Sequence, residues 1–188
     1  MIQSALPETT CVPTASAATA LPESPPARTV STFPASATVI PIRTQETTNF
    51  GAIVPVEGLV AVMIFNDLMH NERALSAYVV DLSVRKQNEG RDEPLAAFAL
   101  GPIASPGQRS ISQYLGGVIK AMSVHLVDTK ASDLFRLLGA TDRYDKTVNA
   151  TYLIKDGAIV WENIPTLSSQ PHDVDGLYKA IALHSCEP

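Results

Sequence analysis

Residues 148–160 read Val-Asn-Ala-Thr-Tyr-Leu-Ile-Lys-Asp-Gly-Ala-Ile-Val, and this stretch decides the fold. Apolar and β-branched residues fill two short runs, 150–154 and 158–161, as in buried strands. The dipeptide Asp156-Gly157 lies between them and is a strong signal for a tight hairpin turn. The stretch therefore predicts two antiparallel strands near the end of the chain.

Strands and helices alternate on either side of this hairpin. Towards the N-terminus, an apolar run at 59–65 predicts a central strand, and residues 111–122 show the clearest helical period of the chain. Strands are predicted at 59–65, 94–100, 123–127, 150–154 and 158–161. Helices are predicted at 71–89, 111–122, 129–138 and 173–183. The order β-α-β-α-β-α-β-β-α predicts an α/β fold, in which helices cover both faces of a mixed sheet.

The first 50 residues differ from the rest in composition. They are rich in Ala, Ser, Thr and Pro, and their only basic residues are Arg28 and Arg43. Such a segment buries too little apolar surface to offset the entropy of ordering it. We therefore predict a disordered tail at 1–50, either a flexible segment or a transit segment, and a folded domain at 51–188.

Charge and hydropathy exclude two classes of partner. The formal net charge is -5, the isoelectric point is about 5.3, and the sequence contains no basic stripe, so a nucleic-acid partner is not expected. No apolar run approaches the roughly 20 residues that span a bilayer. We expect a soluble intracellular protein, or one in an organelle if the tail is a transit peptide.

Three places in the sequence carry a resemblance to a known family. A strand ending at Phe65 leads into a long helix, the strand at 124–128 is followed by a short helix and Gly139, and the hairpin begins at Val148. Between residues 59 and 183 the chain resembles the thioredoxin-like superfamily, especially its redoxin branch. The resemblance implies a thioredoxin-like mixed sheet flanked by helices.

The resemblance also implies where a reactive site would lie. Catalytic relatives carry a Cys-x-x-Cys about five residues after the aromatic that ends the first strand, and a proline that packs beside it. The corresponding positions here hold His70, Asn71, Glu72 and Arg73, and the proline is replaced by Asn149. Because reactive thiolates need the helix start that lowers their pKa, dithiol exchange is not expected. The degenerate site implies a non-catalytic module for protein binding, assembly or scaffolding, possibly a subunit of a larger complex.

An enzymatic role is the alternative. His70 and Glu72 could form a cofactor-free acid/base pair or half of a metal site. The same residues also suit an ordinary helix start, with Asn71 as cap and Glu72 favoured by the helix dipole. A second enzymatic alternative is thiol redox chemistry through Cys186.

Metal ions and cofactors are not expected. The two cysteines, Cys11 and Cys186, lie outside the predicted core, so a thiolate zinc site within it is excluded. They could bridge each other if the tail folds back. The histidines at 125, 172 and 184 show no metal-ligand spacing.

Candidate interface residues lie in the last third of the chain. Trp161 on the predicted hairpin either packs into the core or faces outward as an interface anchor. Arg143 and Lys146, near Asp142 and Asp145, form either a docking surface or a solvated loop of mixed charge. We expect a protein partner or a larger complex.

Overall fold

A seven-stranded mixed sheet is the centre of the fold in the computed structural model. The structure describes residues 30–41, 44, 46–55, 57–67, 96–103, 123–130, 132–166 and 170–185. Its strands are β1 (Thr38–Pro41), β2 (Thr48–Asn49), β3 (Leu59–Ile64), β4 (Ala96–Pro102), β5 (Ser123–Val127), β6 (Ala150–Lys155) and β7 (Ala158–Asn163). Their spatial order is β2-β1-β5-β4-β3-β6-β7. A 3-10 turn (Phe50–Ala52) and two helices, α1 (Leu134–Leu137) and α2 (Val174–Ser185), complete the described elements.

The centre of the sheet is parallel and its outer pairs are antiparallel. β4 pairs in parallel with β3 and β5, whereas β6 runs antiparallel to β3 and β1 antiparallel to β5. The predicted mixed α/β sheet is thus confirmed. The predicted helices at 71–89 and 111–122 lie outside the described residues.

Strand alternation divides the core between the two faces of the sheet. On β3, Val60, Val62 and Ile64 belong to the larger apolar cluster, which includes the α1 residues Leu134 and Phe135. Ala61 faces the other side and packs in a smaller cluster. That cluster consists of Ala61, Leu153 and the α2 residues Leu177, Ala180 and Ile181, all buried. The two described helices therefore cover opposite faces.

The decisive hairpin forms as predicted. β6 and β7 pair antiparallel, and the turn residues Asp156 and Gly157 have φ angles of 50° and 80°. Two consecutive positive φ angles define the type I′ turn that Asp-Gly favours. The Asp156 carboxylate also accepts a hydrogen bond from the backbone N–H of Gly58 at 2.9 Å, which joins the turn to the start of β3.

The predicted domain boundary at residue 50 is wrong, because the domain includes residues from 30 onwards. β1 pairs with β5, and Thr32 forms a bridge with Ala158 at the hairpin. Phe33 is buried, and its ring centroid lies 4.7 Å from that of Phe50. The described residues between 30 and 50 are held by a few large buried side chains and by pairing with distant strands. The average composition of residues 1–50 does not show these few side chains. Residues 1–29 lie outside the described residues.

Among the described helices, none has the length and apolar character needed to cross a bilayer.

Candidate functional site

The carboxyl ends of the three parallel strands meet at one edge of the sheet. Because β6 is antiparallel to β3, it begins where β3 ends, and Ile64 faces Ala150 across the pair. Functional groups of open α/β sheets gather at the carboxyl ends of their strands. We call the residues Phe65, Asn66, Asn149, Thr151 and His172 the strand-end cluster.

Asn149 joins the end of β3 to the loop that precedes α2. Its side chain is buried; Oδ1 accepts a hydrogen bond from the backbone N–H of Asn66 at 3.1 Å, and Nδ2 donates to the carbonyl of Gln170 at 3.0 Å. The described peptide bonds are all trans. An amide that bridges two backbones therefore stands where the resemblance implied a proline.

His172 and Thr151 are the other two buried polar residues of the strand-end cluster. The Nδ1 of His172 lies 2.7 Å from Oγ1 of Thr151, and its ring centroid lies 4.5 Å from that of Phe65. Burial lowers the pKa of His172 to about 4, so the imidazole is neutral at pH 7. This histidine is thus a neutral hydrogen-bonding group that closes the edge of the sheet.

The sequence interpretation missed the pairing of Thr151 with His172. Asp173, the residue before α2, caps the helix, because its carboxylate accepts the N–H of Gly176 at 2.8 Å, whereas His172 bonds to the sheet. A threonine inside an otherwise apolar strand was the available signal, because a buried hydroxyl requires a partner.

Another buried polar residue, His125, lies in the middle of β5 and outside the strand-end cluster. Its ring centroid is 5.7 Å from that of Phe98, and neither ring nitrogen has a hydrogen-bond partner within the described part of the chain. Burial lowers the pKa of His125 to about 4. It is a neutral, buried side chain that packs against Phe98 of the larger cluster.

The first predicted site lies outside the described residues. His70, Asn71, Glu72 and Arg73 all fall there, as does Cys186. Within the described ranges, no three His, Cys, Asp or Glu side chains are grouped closely enough to hold a metal ion.

Trp161 lies half-buried on β7, against α2. A Cβ atom added at Gly176 would approach a ring carbon of Trp161 to 3.0 Å. The indole therefore packs on the glycine of the first turn of α2, beside the smaller cluster. Arg143 and Lys146 are exposed on the loop between α1 and β6.

Comparison with known proteins identifies the architecture. No family model and no curated protein sequence matches the chain. Among solved structures, reduced Prx3 of Vibrio vulnificus in complex with hydrogen peroxide is similar with a TM-score of 0.60 at 14% identity, over 83% of this chain and 96% of that one. A thiol peroxidase of Chromobacterium violaceum is similar with a TM-score of 0.57 at 9% identity, over 85% of this chain and 88% of that one. A thioredoxin of Neisseria meningitidis is similar with a TM-score of 0.55 at 14% identity, over 84% of this chain and 94% of that one. The chain thus has a thioredoxin-like fold of the redoxin type.

Proposed function

We propose that this thioredoxin-fold chain is a protein-binding module for assembly or scaffolding, and that it performs no thiol chemistry at its strand-end cluster. The observation that carries the proposal is the position of the cysteines. The sequence has two, at 11 and 186, whereas the fold places its reactive thiol after the first central strand. Residues 12–185, which include the whole described sheet, contain none.

The hydrogen bonds of the strand-end cluster support a structural role for this edge. Asn149 uses both ends of its amide to hold the end of β3 and the loop before α2. Thr151 and His172 bond to each other, and the imidazole is neutral. Buried polar groups that are bonded in this way fix the conformation of the segments they join.

A second candidate is a redox enzyme that uses Cys186. The fold neighbours favour this class, because they include a thioredoxin and a thiol peroxidase. The last turn of α2 lies away from the strand-end cluster. Lys155 at the far end of β6 donates to the carbonyl of His184 at 3.2 Å, so α2 ends at the edge opposite the strand-end cluster. In the sequence Cys186 follows α2 directly, and it lies outside the described residues.

Partner capture tests the binding proposal. The tagged chain and its Cys11→Ser/Cys186→Ser variant are expressed in the native cells, cross-linked gently and purified side by side. We expect both to recover the same partner in a fixed ratio, since the contact does not depend on a disulfide. Recovery of monomer alone from both, or loss of the partner only from the serine variant, would contradict the proposal.

A further inference from the structure

The loop at 141–147 is closed by its own hydrogen bonds. Thr141 and Thr147 form an antiparallel bridge, and the N–H of Asp142 donates to the carbonyl of Lys146 at 2.8 Å. One carboxylate oxygen of Asp142 also accepts the N–H groups of Tyr144 and Lys146, at 2.8 and 2.9 Å. The loop is therefore built as a fixed turn.

An ion pair attaches this loop to α1. Arg136 donates two hydrogen bonds to the carboxylate of Asp145, at 2.8 and 3.3 Å, and approaches Asp133 to 3.4 Å. The hydrogen bond from Arg136 lowers the pKa of Asp145, so this carboxylate stays ionised. Asp145 has a φ of 61°, in the left-handed region that aspartate tolerates better than most residues.

The tip of the loop presents an aromatic ring to solvent. Tyr144 is 67% exposed, and the guanidinium carbon of Arg143 lies 4.8 Å from the centre of its ring. Leu137, the neighbour of Arg136 on α1, is exposed as well. Tyrosine and arginine are enriched among the residues that dominate interface energies. A loop that is already ordered loses little entropy when it binds.

Two cations of this surface have no ion-pair partner in the described part of the chain. Asp133 and Asp145 face Arg136, and Asp142 is used by backbone N–H groups. Within the described residues, Arg143 and Lys146 have no carboxylate partner, although both are exposed. Although the formal charges of this surface balance, these two exposed cations are available to carboxylates of another chain. Charge complementarity therefore selects an acidic partner.

We propose that the 141–147 loop is a docking surface for an acidic segment of a protein partner, with Tyr144 and Arg143 as its anchor. The proposal rests on the protein-binding function and names the surface and the partner chemistry for it. Carboxylates of the bound segment would pair with Arg143 and Lys146, and an apolar side chain would contact the ring of Tyr144.

The test uses the full-length chain and a synthetic probe. A fluorescent decapeptide of alternating Glu and Leu is titrated with the wild type and with Arg143→Ala, Tyr144→Ala and Lys146→Ala. We expect each variant to weaken binding about fivefold, the effect of losing about 1 kcal/mol at an anchor. Lys179→Ala, an exposed cation on α2, is the control and should bind as the wild type does. Binding should weaken in 0.5 M salt, because exposed charges are screened.

Three outcomes would overturn this inference. They are no binding of the acidic peptide by the wild type, equal binding by Arg143→Ala and Tyr144→Ala, and equal binding of a peptide with Lys in place of Glu. If the partner captured from native cells binds the Tyr144→Ala protein with unchanged affinity, the docking surface is wrong while the protein-binding function stands. If no partner is captured from native cells although the peptide binds at the loop, the assembly function is wrong, while the loop stands as a site that binds acidic peptides.

Discussion

Replacing Tyr152 by alanine is expected to lower the free energy of unfolding by about 4 kcal/mol, the range found for large aromatic side chains in cores. Tyr152 is fully buried in β6, and its ring packs edge-on against Phe33 with centroids 6.5 Å apart. Its hydroxyl donates to the carbonyl of Leu138 at 2.7 Å, which connects the sheet to the end of α1. Urea unfolding of the purified variant, followed by circular dichroism, measures this loss.

Two further variants separate packing from hydrogen bonding. Tyr152→Phe keeps the ring and removes the hydroxyl, so we expect a loss of about 1–2 kcal/mol from the unpaired carbonyl of Leu138. Tyr144→Ala removes the exposed tyrosine and should change stability by less than about 0.5 kcal/mol. Equal losses for Tyr152→Ala and Tyr144→Ala would show that Tyr152 does not occupy the core as described.

Acid is expected to destabilise the fold between pH 6.5 and 4. His125 and His172 each have a pKa lowered to about 4 by burial, whereas an unfolded histidine titrates near 6.5. In this window the unfolded chain binds more protons than the folded chain, so stability falls as the pH falls. Each histidine should account for about 3 kcal/mol lost between pH 7 and pH 4. Urea unfolding at half-unit pH steps measures the slope.

Histidine variants assign this pH dependence to particular side chains. His172→Asn and His125→Leu should each be less stable at pH 7 than the wild type, and should each lose about half of the slope between pH 6.5 and 4. A wild-type stability that stays constant from pH 7 to 4.5 would show that neither imidazole is buried in its neutral form.

Local signals explain why the sequence predicted the last strands well. The turn at Asp156-Gly157 needs two positive φ angles, and this pair of residues favours them whatever surrounds it. The apolar run of β3 and the glycine that ends α1 are equally local; Gly139 has a φ of 71°, as a helix-ending residue often does. The order of the described strands and helices from β3 to α2, which is that of a thioredoxin-like fold, follows from such features.

Long-range contacts explain what the sequence did not predict. β1 is short and is fixed by pairing with β5, about 85 residues further along the chain, a separation that no local pattern contains. Thr151 and His172 meet only because β6 and the loop before α2 lie side by side. The resemblance to the fold therefore identified Asn149 as a candidate site residue, but the sequence did not predict that Thr151 and His172 form a buried pair beside it.

Competition between local hydrogen bonds explains a smaller error at α1. This helix was predicted to start at residue 129, but it begins at Leu134, whose N–H donates to the hydroxyl of Ser132 at 3.3 Å. The Asp128 carboxylate instead accepts the N–H of Lys130 at 3.0 Å. Short polar side chains close turns as readily as they cap helices, so the sequence did not distinguish the two.

Hydrogen peroxide consumption in the presence of a dithiol reductant tests the central claim most directly. The wild type, the Cys186→Ser variant and the Cys11→Ser/Cys186→Ser variant are compared at equal concentration, with reduction of a disulfide substrate measured in parallel. The account predicts that all three consume peroxide and reduce the disulfide at the background rate. Turnover by the wild type at ten times that rate or more, abolished in the Cys186→Ser variant, would contradict it and establish a thiol redox enzyme.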